Sequence, residues 1–279
     1  MAEFSYFAVE QPLAVIGAAL FIGQVAARAA GVWVRRRVAG IAQVSAGEET
    51  DKGFVLSAML GLLALLIAFT FSLAVNRYET RRNLVVEEAN AISTAEMRVH
   101  LLDAPHAQQL SQMLRRYAHT RLQVGQAAVA DKPPLVRQSE AQRAALQTEA
   151  LSALGPIRTT PLAPFVGAAI NSVLDVGVER ETTLAARVPL TVLVALASYV
   201  LLTAGILGYA LTGARTSQQP AAITFFALLT LAIVLILDLD RAQGGTVRTD
   251  QSPMVRLVAG FPSEAGQAVL PAPAAGNLH

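Results

Sequence analysis

Four long apolar runs divide the chain, and polar segments separate them. They run from Pro12 to Val34, Gly53 to Val75, Val188 to Leu211 and Pro220 to Leu237. Each is close to the roughly 20 residues that a helix needs to cross the hydrocarbon core of a bilayer. The pattern therefore predicts a polytopic membrane protein with four transmembrane helices.

The segment between the second and third apolar runs is polar, with apolar residues at helical spacing. Val85, Ala89, Ile92 and Val99 continue the period of the second run, so the second membrane helix should extend as one rod to about Leu102. Leu110, Leu114, Tyr117 and Val124 predict an amphipathic helix, and two more are expected, from Arg137 to Leu154 and from about Phe165 towards Arg187. We interpret Lys132-Pro133-Pro134 as a loop.

The fold class expected from these patterns is all-α. The predicted organisation is membrane helices over 12–76, a helical extramembrane domain over 77–187, membrane helices over 188–237, a juxtamembrane segment over 238–261 and a flexible tail over 262–279. The distribution of arginine around the membrane helices favours a cytoplasmic location for the helical domain.

Composition agrees with an integral membrane protein. Charged residues make up 15% of the chain, against about 25% in soluble domains. Nearly all basic residues are arginines, and many of them lie at the ends of apolar runs, so the net charge of +2 does not indicate nucleic-acid binding. The sequence has no cysteine, which excludes disulfides and thiol catalysis.

The sequence contains no motif that indicates an enzyme or a cofactor. It lacks a glycine-rich phosphate loop, a zinc-binding histidine pair on one helix face and a nucleophile elbow. We therefore expect a protein that is not an enzyme and that holds no cofactor.

One face of the second membrane helix changes from apolar to polar along its length. Five residues form this face, and at about 100° per residue they fall within an arc of about 80° around the helix axis. We call them the stripe of the second membrane helix: Gly61, Leu65, Phe69, Ser72 and Asn76. One interpretation is a pore wall, with a constriction at Leu65 and Phe69 that gates by dewetting. The other is packing between membrane helices, which small and weakly polar residues also favour.

Arg77, Arg81 and Arg82 follow the stripe directly. They are candidates for an electropositive mouth that concentrates anions. The alternative is an orientation anchor whose counterions are lipid phosphates.

Two acidic residues end the fourth apolar run. Asp238 lies three residues before Arg241, a spacing that suits an ion pair on a helix. Asp238 and Asp240 are also candidate ligands of a hard cation, although two carboxylates fall short of a calcium shell.

Polar and small residues in two other runs predict helix contacts. In the first run, Gln24, Arg28 and Gly31 share a face, and a charge at membrane depth usually points to protein or water. In the third run, Ala204 and Gly208 are four residues apart and suit close helix packing.

Two segments of the sequence resemble a bacterial membrane family called bestrophin-like. They are "FTFSLAVNRYETRRNLVVEEANAI", which begins at Phe69, and "LILDLDR", which ends at Arg241. The resemblance extends over about Pro12 to Val258 and reaches, more distantly, the bestrophin anion channels. It implies four membrane segments, a helical cytoplasmic part, residence in the bacterial inner membrane and a homo-oligomer, which is a pentamer in bestrophins.

The resemblance also implies roles for residues of the second helix. It places an anion pore along this helix, with an aromatic neck residue eight positions before an arginine, as Phe69 stands before Arg77. The chain departs from bestrophins in having Tyr78 and Glu79 where they have two tryptophans, and Gly61 where they have a bulky neck residue. Asp238 and Asp240 correspond to a small part of the acidic calcium clasp of animal bestrophins.

Two hypotheses follow. The first is an oligomeric channel in the lipid bilayer that passes small inorganic ions, anions above all. The second is a non-conducting membrane scaffold or sensor whose helical domain binds a protein partner.

Overall fold

The fold was obtained as a computed structural model, which describes residues 12–39, 48–212, 219–241 and 245–261. Every regular element within these ranges is helical, which confirms the all-α expectation for this part of the chain. The predicted tail, 262–279, lies outside the described residues. The helices are α1 (Leu13–Ala39), α2 (Glu48–Val99), α3 (His106–Gln126), a 3-10 turn (Val129–Asp131), α4 (Lys132–Leu154), α5 (Leu162–Ala185), α6 (Leu190–Ala210), α7 (Gln219–Asp240) and α8 (Ser252–Gly260).

Five of the described helices are long and apolar enough to cross a membrane: α1, α2, α5, α6 and α7. The sequence pattern predicted four of them as spans. The addition is α5, the least apolar of the five, which carries charged residues such as Glu179 and Arg180 in its second half. Helix α2 is a single helix of 52 residues, as its apolar period indicated.

The chain divides into two compact units, and the boundary falls within α2. Unit 1 comprises Met1–Thr80 and Leu184–Arg248, and unit 2 comprises Arg81–Thr183 and Thr249–His279. In their described parts, unit 1 holds α1, the first part of α2, α6 and α7. Unit 2 holds the remainder of α2 together with α3, α4, most of α5 and α8.

The core of unit 1 forms because the membrane helices bury one face each against one another. Leu63 of α2 packs in a cluster with Leu196 and Val200 of α6 and with Leu229 and Ile233 of α7. Two polar contacts add to this apolar packing. The Gln24 amide of α1 donates to Thr230 Oγ1 of α7 at 2.8 Å, and the Tyr199 hydroxyl of α6 donates to the Met59 carbonyl of α2 at 3.3 Å.

Helices α1 and α6 approach closely at glycines. A Cβ atom added to Gly31 would overlap the carbonyl oxygen of Gly205, and one added to Gly208 would overlap the carbonyl oxygen of Arg28. Ala204, one turn before Gly208, is buried. The face that the sequence predicted for packing is thus the face on which the two backbones meet.

We expect Gly208→Ala to destabilise the protein, because the added methyl group has no space at the α1–α6 contact. Gly53→Ala is the matched control, since a Cβ at Gly53 meets no atom within 4 Å among the described neighbours. In a helix interior the same change stabilises by about 1 kcal/mol through helix propensity. Thermal unfolding of the purified proteins in detergent should show opposite shifts, and equal shifts would contradict the close approach.

The helices of unit 2 enclose a second apolar core. Leu110, Leu114 and Tyr117 of α3 are fully buried there, as the sequence pattern of that helix predicted. Met254 of α8 is buried in the same core, so the segment that follows α7 also contributes to unit 2.

One expectation for this unit was wrong. Lys132, Pro133 and Pro134 form the first turn of α4 rather than a loop. Proline is well tolerated there because the first amides of a helix have no partner within it.

A buried ionic network lies beside the core of unit 2. The Glu88 carboxylate accepts from Arg121 Nε at 2.7 Å and from the Tyr117 hydroxyl at 3.1 Å, and it also pairs with Arg180. Burial and the neighbouring Glu88 carboxylate raise the pKa of the Tyr117 hydroxyl, which keeps it protonated as a donor. Because buried charges are stable only when paired, the network fixes how α2, α3 and α5 meet.

Candidate pore-lining site

Within unit 1, α2 has a buried face and an exposed face. Leu63, Thr70 and Ala74 are 1%, 3% and 0% exposed and form the buried face. On the stripe of the second membrane helix (the α2 stripe), by contrast, Leu65 is 49% exposed and Phe69 is 66% exposed. Gly61, Ser72 and Asn76 are exposed as well.

This division bears on the packing interpretation of the stripe. The described helices of the chain pack on the other face of α2, so among the described residues the stripe makes no packing contact of that kind. At Gly61 an added Cβ would meet no atom within 4 Å among the described residues. Within the described part of the chain, the stripe is therefore an open surface.

The stripe is graded along its length. With a rise of about 1.5 Å per residue, Leu65 and Asn76 are roughly 16 Å apart along the helix axis. Its first part is apolar at Leu65 and Phe69, and its last part is polar at Ser72 and Asn76. A water-filled path beside this face would thus be narrow and dry at one end and wetted at the other.

The exposed positions continue beyond Asn76 in steps that alternate between three and four residues. Glu79 comes next and is exposed in unit 1. On the part of α2 in unit 2, further exposed residues keep the same steps: Asn83, Val86, Asn90, Ser93 and Met97. A repeat of 3.5 residues drifts by only about 20° per heptad on a straight helix, so neighbouring turns of the repeat stay on one side of α2. These positions were not predicted from the sequence, although the alternating steps are visible in it.

The three arginines that follow the stripe differ in environment. Arg81 is 3% exposed, Arg77 is half-buried and Arg82 is exposed. The difference in exposure follows from the direction of each side chain around the helix axis. At about 100° per residue, Arg77 and Arg81 point well away from the stripe, towards the buried side of α2, whereas Arg82 lies nearer to it. Only Arg82 among the three therefore presents its charge at the surface of the chain.

Asp238 and Asp240 both accept hydrogen bonds from backbone amides of unit 1. The Val188 amide, just before α6, donates to the two carboxylate oxygens of Asp240 at 2.9 and 3.2 Å. The Thr246 amide donates to Asp238 Oδ1 at 2.6 Å. The two carboxylates thus hold the chain before α6 and after α7 in place.

The described residues contain no group of three or more histidine, cysteine, aspartate or glutamate side chains that could hold a metal ion. The pairing of Asp238 with Arg241 stays a prediction.

Comparison with known families identifies the chain. A family model described as the bestrophin-like domain matches residues 22–254. The chain belongs to the bestrophin-like family. It matches no functionally curated protein. The apolar helices and the membership of this family together make it a multi-pass membrane protein.

Solved structures share the fold. The crystal structure of a bacterial bestrophin homologue from Klebsiella pneumoniae is 16% identical, with a TM-score of 0.56 over 88% of this chain and 98% of that one. A tryptophan-to-alanine variant of the homologue gives a TM-score of 0.61 at 15% identity, covering 90% and 99% of the two chains. A leucine-to-threonine variant gives 0.59 at 16% identity, covering 89% and 97%. At these identities the likeness establishes the bestrophin-like fold.

Cysteine accessibility distinguishes water from lipid at the stripe, and the natural sequence has no cysteine to remove first. We expect Ser72→Cys and Asn76→Cys to react with a membrane-impermeant thiosulfonate in vesicles, because both side chains would face water. Phe71→Cys is the control, since Phe71 is 40% exposed but points away from the stripe. A Ser72→Cys protein as unreactive as the control would place the stripe against lipid or dry protein.

Proposed function

We propose that the protein is an oligomeric ion channel of the bacterial inner membrane. Each subunit contributes the α2 stripe to a central pore. Leu65 and Phe69 form the neck of the pore, Gly61 lies before it, and Ser72 and Asn76 line the wetted part beyond it. The alternative is a non-conducting scaffold or sensor, and the two differ in whether the stripe borders water.

The observation that carries the proposal is the exposure of a graded face on a helix whose other face is buried. Phe69 is 66% exposed on the single chain, within the apolar first part of α2. Ser72 and Asn76 are polar and exposed one and two turns further on. Polar groups are costly against acyl chains, so a face of this kind is more stable beside water or another protein surface.

We propose four membrane spans per subunit: α1, the apolar first part of α2, α6 and α7. Helix α5 stays outside the bilayer, because Arg180 and Glu181 at its end belong to the buried ionic network of unit 2. Unit 2 then forms the cytoplasmic domain. We propose a ring of identical copies, with five as the number that the resemblance to bestrophins suggests.

The proposed function is transport rather than catalysis, and the permeant species are small inorganic ions. The preference for anions that the sequence suggested rested on Arg77, Arg81 and Arg82. Of these, Arg82 is the one exposed in the chain, so the case for anions now depends on that side chain and on the resemblance to bestrophins.

The neck is tested by measuring ion flux through purified protein in lipid vesicles. We expect Phe69→Ala and Leu65→Ala to raise the flux several-fold, because smaller side chains relieve a constriction that gates by dewetting. Phe71→Ala is the matched control, since it removes the same group from another face of α2 and should leave the flux unchanged.

Absence of flux in the wild type and in both neck variants would contradict the channel. A monomer or dimer in native membranes would exclude an axial ring. Either result would favour the scaffold or sensor.

A further inference from the structure

We infer that Glu79 determines the charge selectivity of the pore, by drawing cations to the wetted end of the α2 stripe and opposing anions. This inference rests on the proposed channel function. It adds Glu79 to the stripe, a residue that the sequence marked only as a departure from the tryptophan pair of bestrophins.

The position of Glu79 follows from the register of α2. It lies three residues after Asn76 and seven after Ser72, so it continues the same exposed face by one turn. At about 100° per residue, eighteen residues make five full turns, and Glu79 therefore points in the direction of Gly61. Its side chain is exposed within unit 1, like those of the stripe itself.

Glu79 is also the one ionisable residue of this register within unit 1, whereas Glu87, eighteen residues after Phe69, lies on the same side of α2 farther along the helix. The positions of the register from Leu62 onwards are Leu62, Leu65, Phe69, Ser72, Asn76, Glu79, Asn83, Val86, Asn90, Ser93 and Met97. Asn76 and Asn83 flank Glu79 about one turn away on either side. Their neutral amides offer both donors and acceptors, so they do not decide the sign of the charge on this face.

The neighbouring arginines do not cancel this charge on the same face. Arg77 and Arg81 each lie two residues from Glu79, about 160° away around the helix, and Arg81 is buried. Arg82 is exposed about 60° from Glu79 and about 100° from the middle of the α2 stripe, measured around the helix axis. The net charge that the register itself presents is therefore negative.

Symmetry multiplies the effect of the carboxylate. In a ring of copies, one Glu79 from each subunit would face the shared axis at the same height. Rings of carboxylates favour cations in channels, and low-dielectric walls concentrate their field. A substitution that neutralises Glu79 in every subunit together should therefore change the potassium-to-chloride permeability ratio strongly.

The test is the reversal potential of the wild type and of Glu79→Gln in planar bilayers under a potassium chloride gradient. We expect the wild type to favour potassium, and the variant to lower the potassium-to-chloride permeability ratio roughly tenfold. Glu140→Gln is the control, because Glu140 is an exposed glutamate on another helix, α4. Its ratio should equal that of the wild type.

The two proposals fail differently. Wild-type conduction with an unchanged permeability ratio in Glu79→Gln, or a ratio that shifts equally in Glu140→Gln, would overturn the role of Glu79 and leave the channel standing. A chloride-selective wild type would also overturn it. A wild type that passes no ions would overturn the channel and this inference together.

Discussion

The architecture depends on one constraint: in the described part of the chain, only one face of α2 packs against the other helices of unit 1. Leu63, Thr70 and Ala74 are buried, whereas Leu65 and Phe69 on the other side are exposed. In a soluble protein such a division would place the apolar side chains inside. Here the exposed face carries both the aromatic ring and the polar groups, and it repeats every 3.5 residues. That repeat keeps neighbouring turns of the face on one side of a helix of 52 residues, which suits contact with equivalent copies around a common axis.

The charged side chains also divide between a buried side and an exposed side. Arg81 of α2 is buried and Arg180 of α5 pairs with the buried Glu88 carboxylate, whereas Arg82 is exposed to one side of the register. Within unit 1, the exposed register carries one ionisable residue, Glu79. Because burial of unpaired charge is costly, the pairs of unit 2 also fix the part of α2 that follows the membrane. A single long helix thus combines an anchored buried side with a polar, negatively charged exposed side.

Much of the fold could be predicted from the sequence because apolar period and length are local signals. The helical state of the four apolar runs, the continuous α2 rod and the burial of Leu110, Leu114 and Tyr117 all follow from spacing. The loop assigned to Pro133 and Pro134 was wrong because proline also suits the first turn of a helix. The partners of Glu88 come from three separate helices, and no local pattern shows them. The burial of Arg81 and the register position of Glu79 could have been predicted, since both follow from angles around one helix.

The central claim is that copies of the α2 stripe surround water. It is tested most directly by electron cryo-microscopy of the full-length protein in lipid nanodiscs. The account predicts a closed ring of copies in which Leu65 and Phe69 face the shared axis, with ordered water beside Ser72 and Asn76. Acyl-chain density against Phe69, or a dry interface between α2 helices with no axial path, would contradict it.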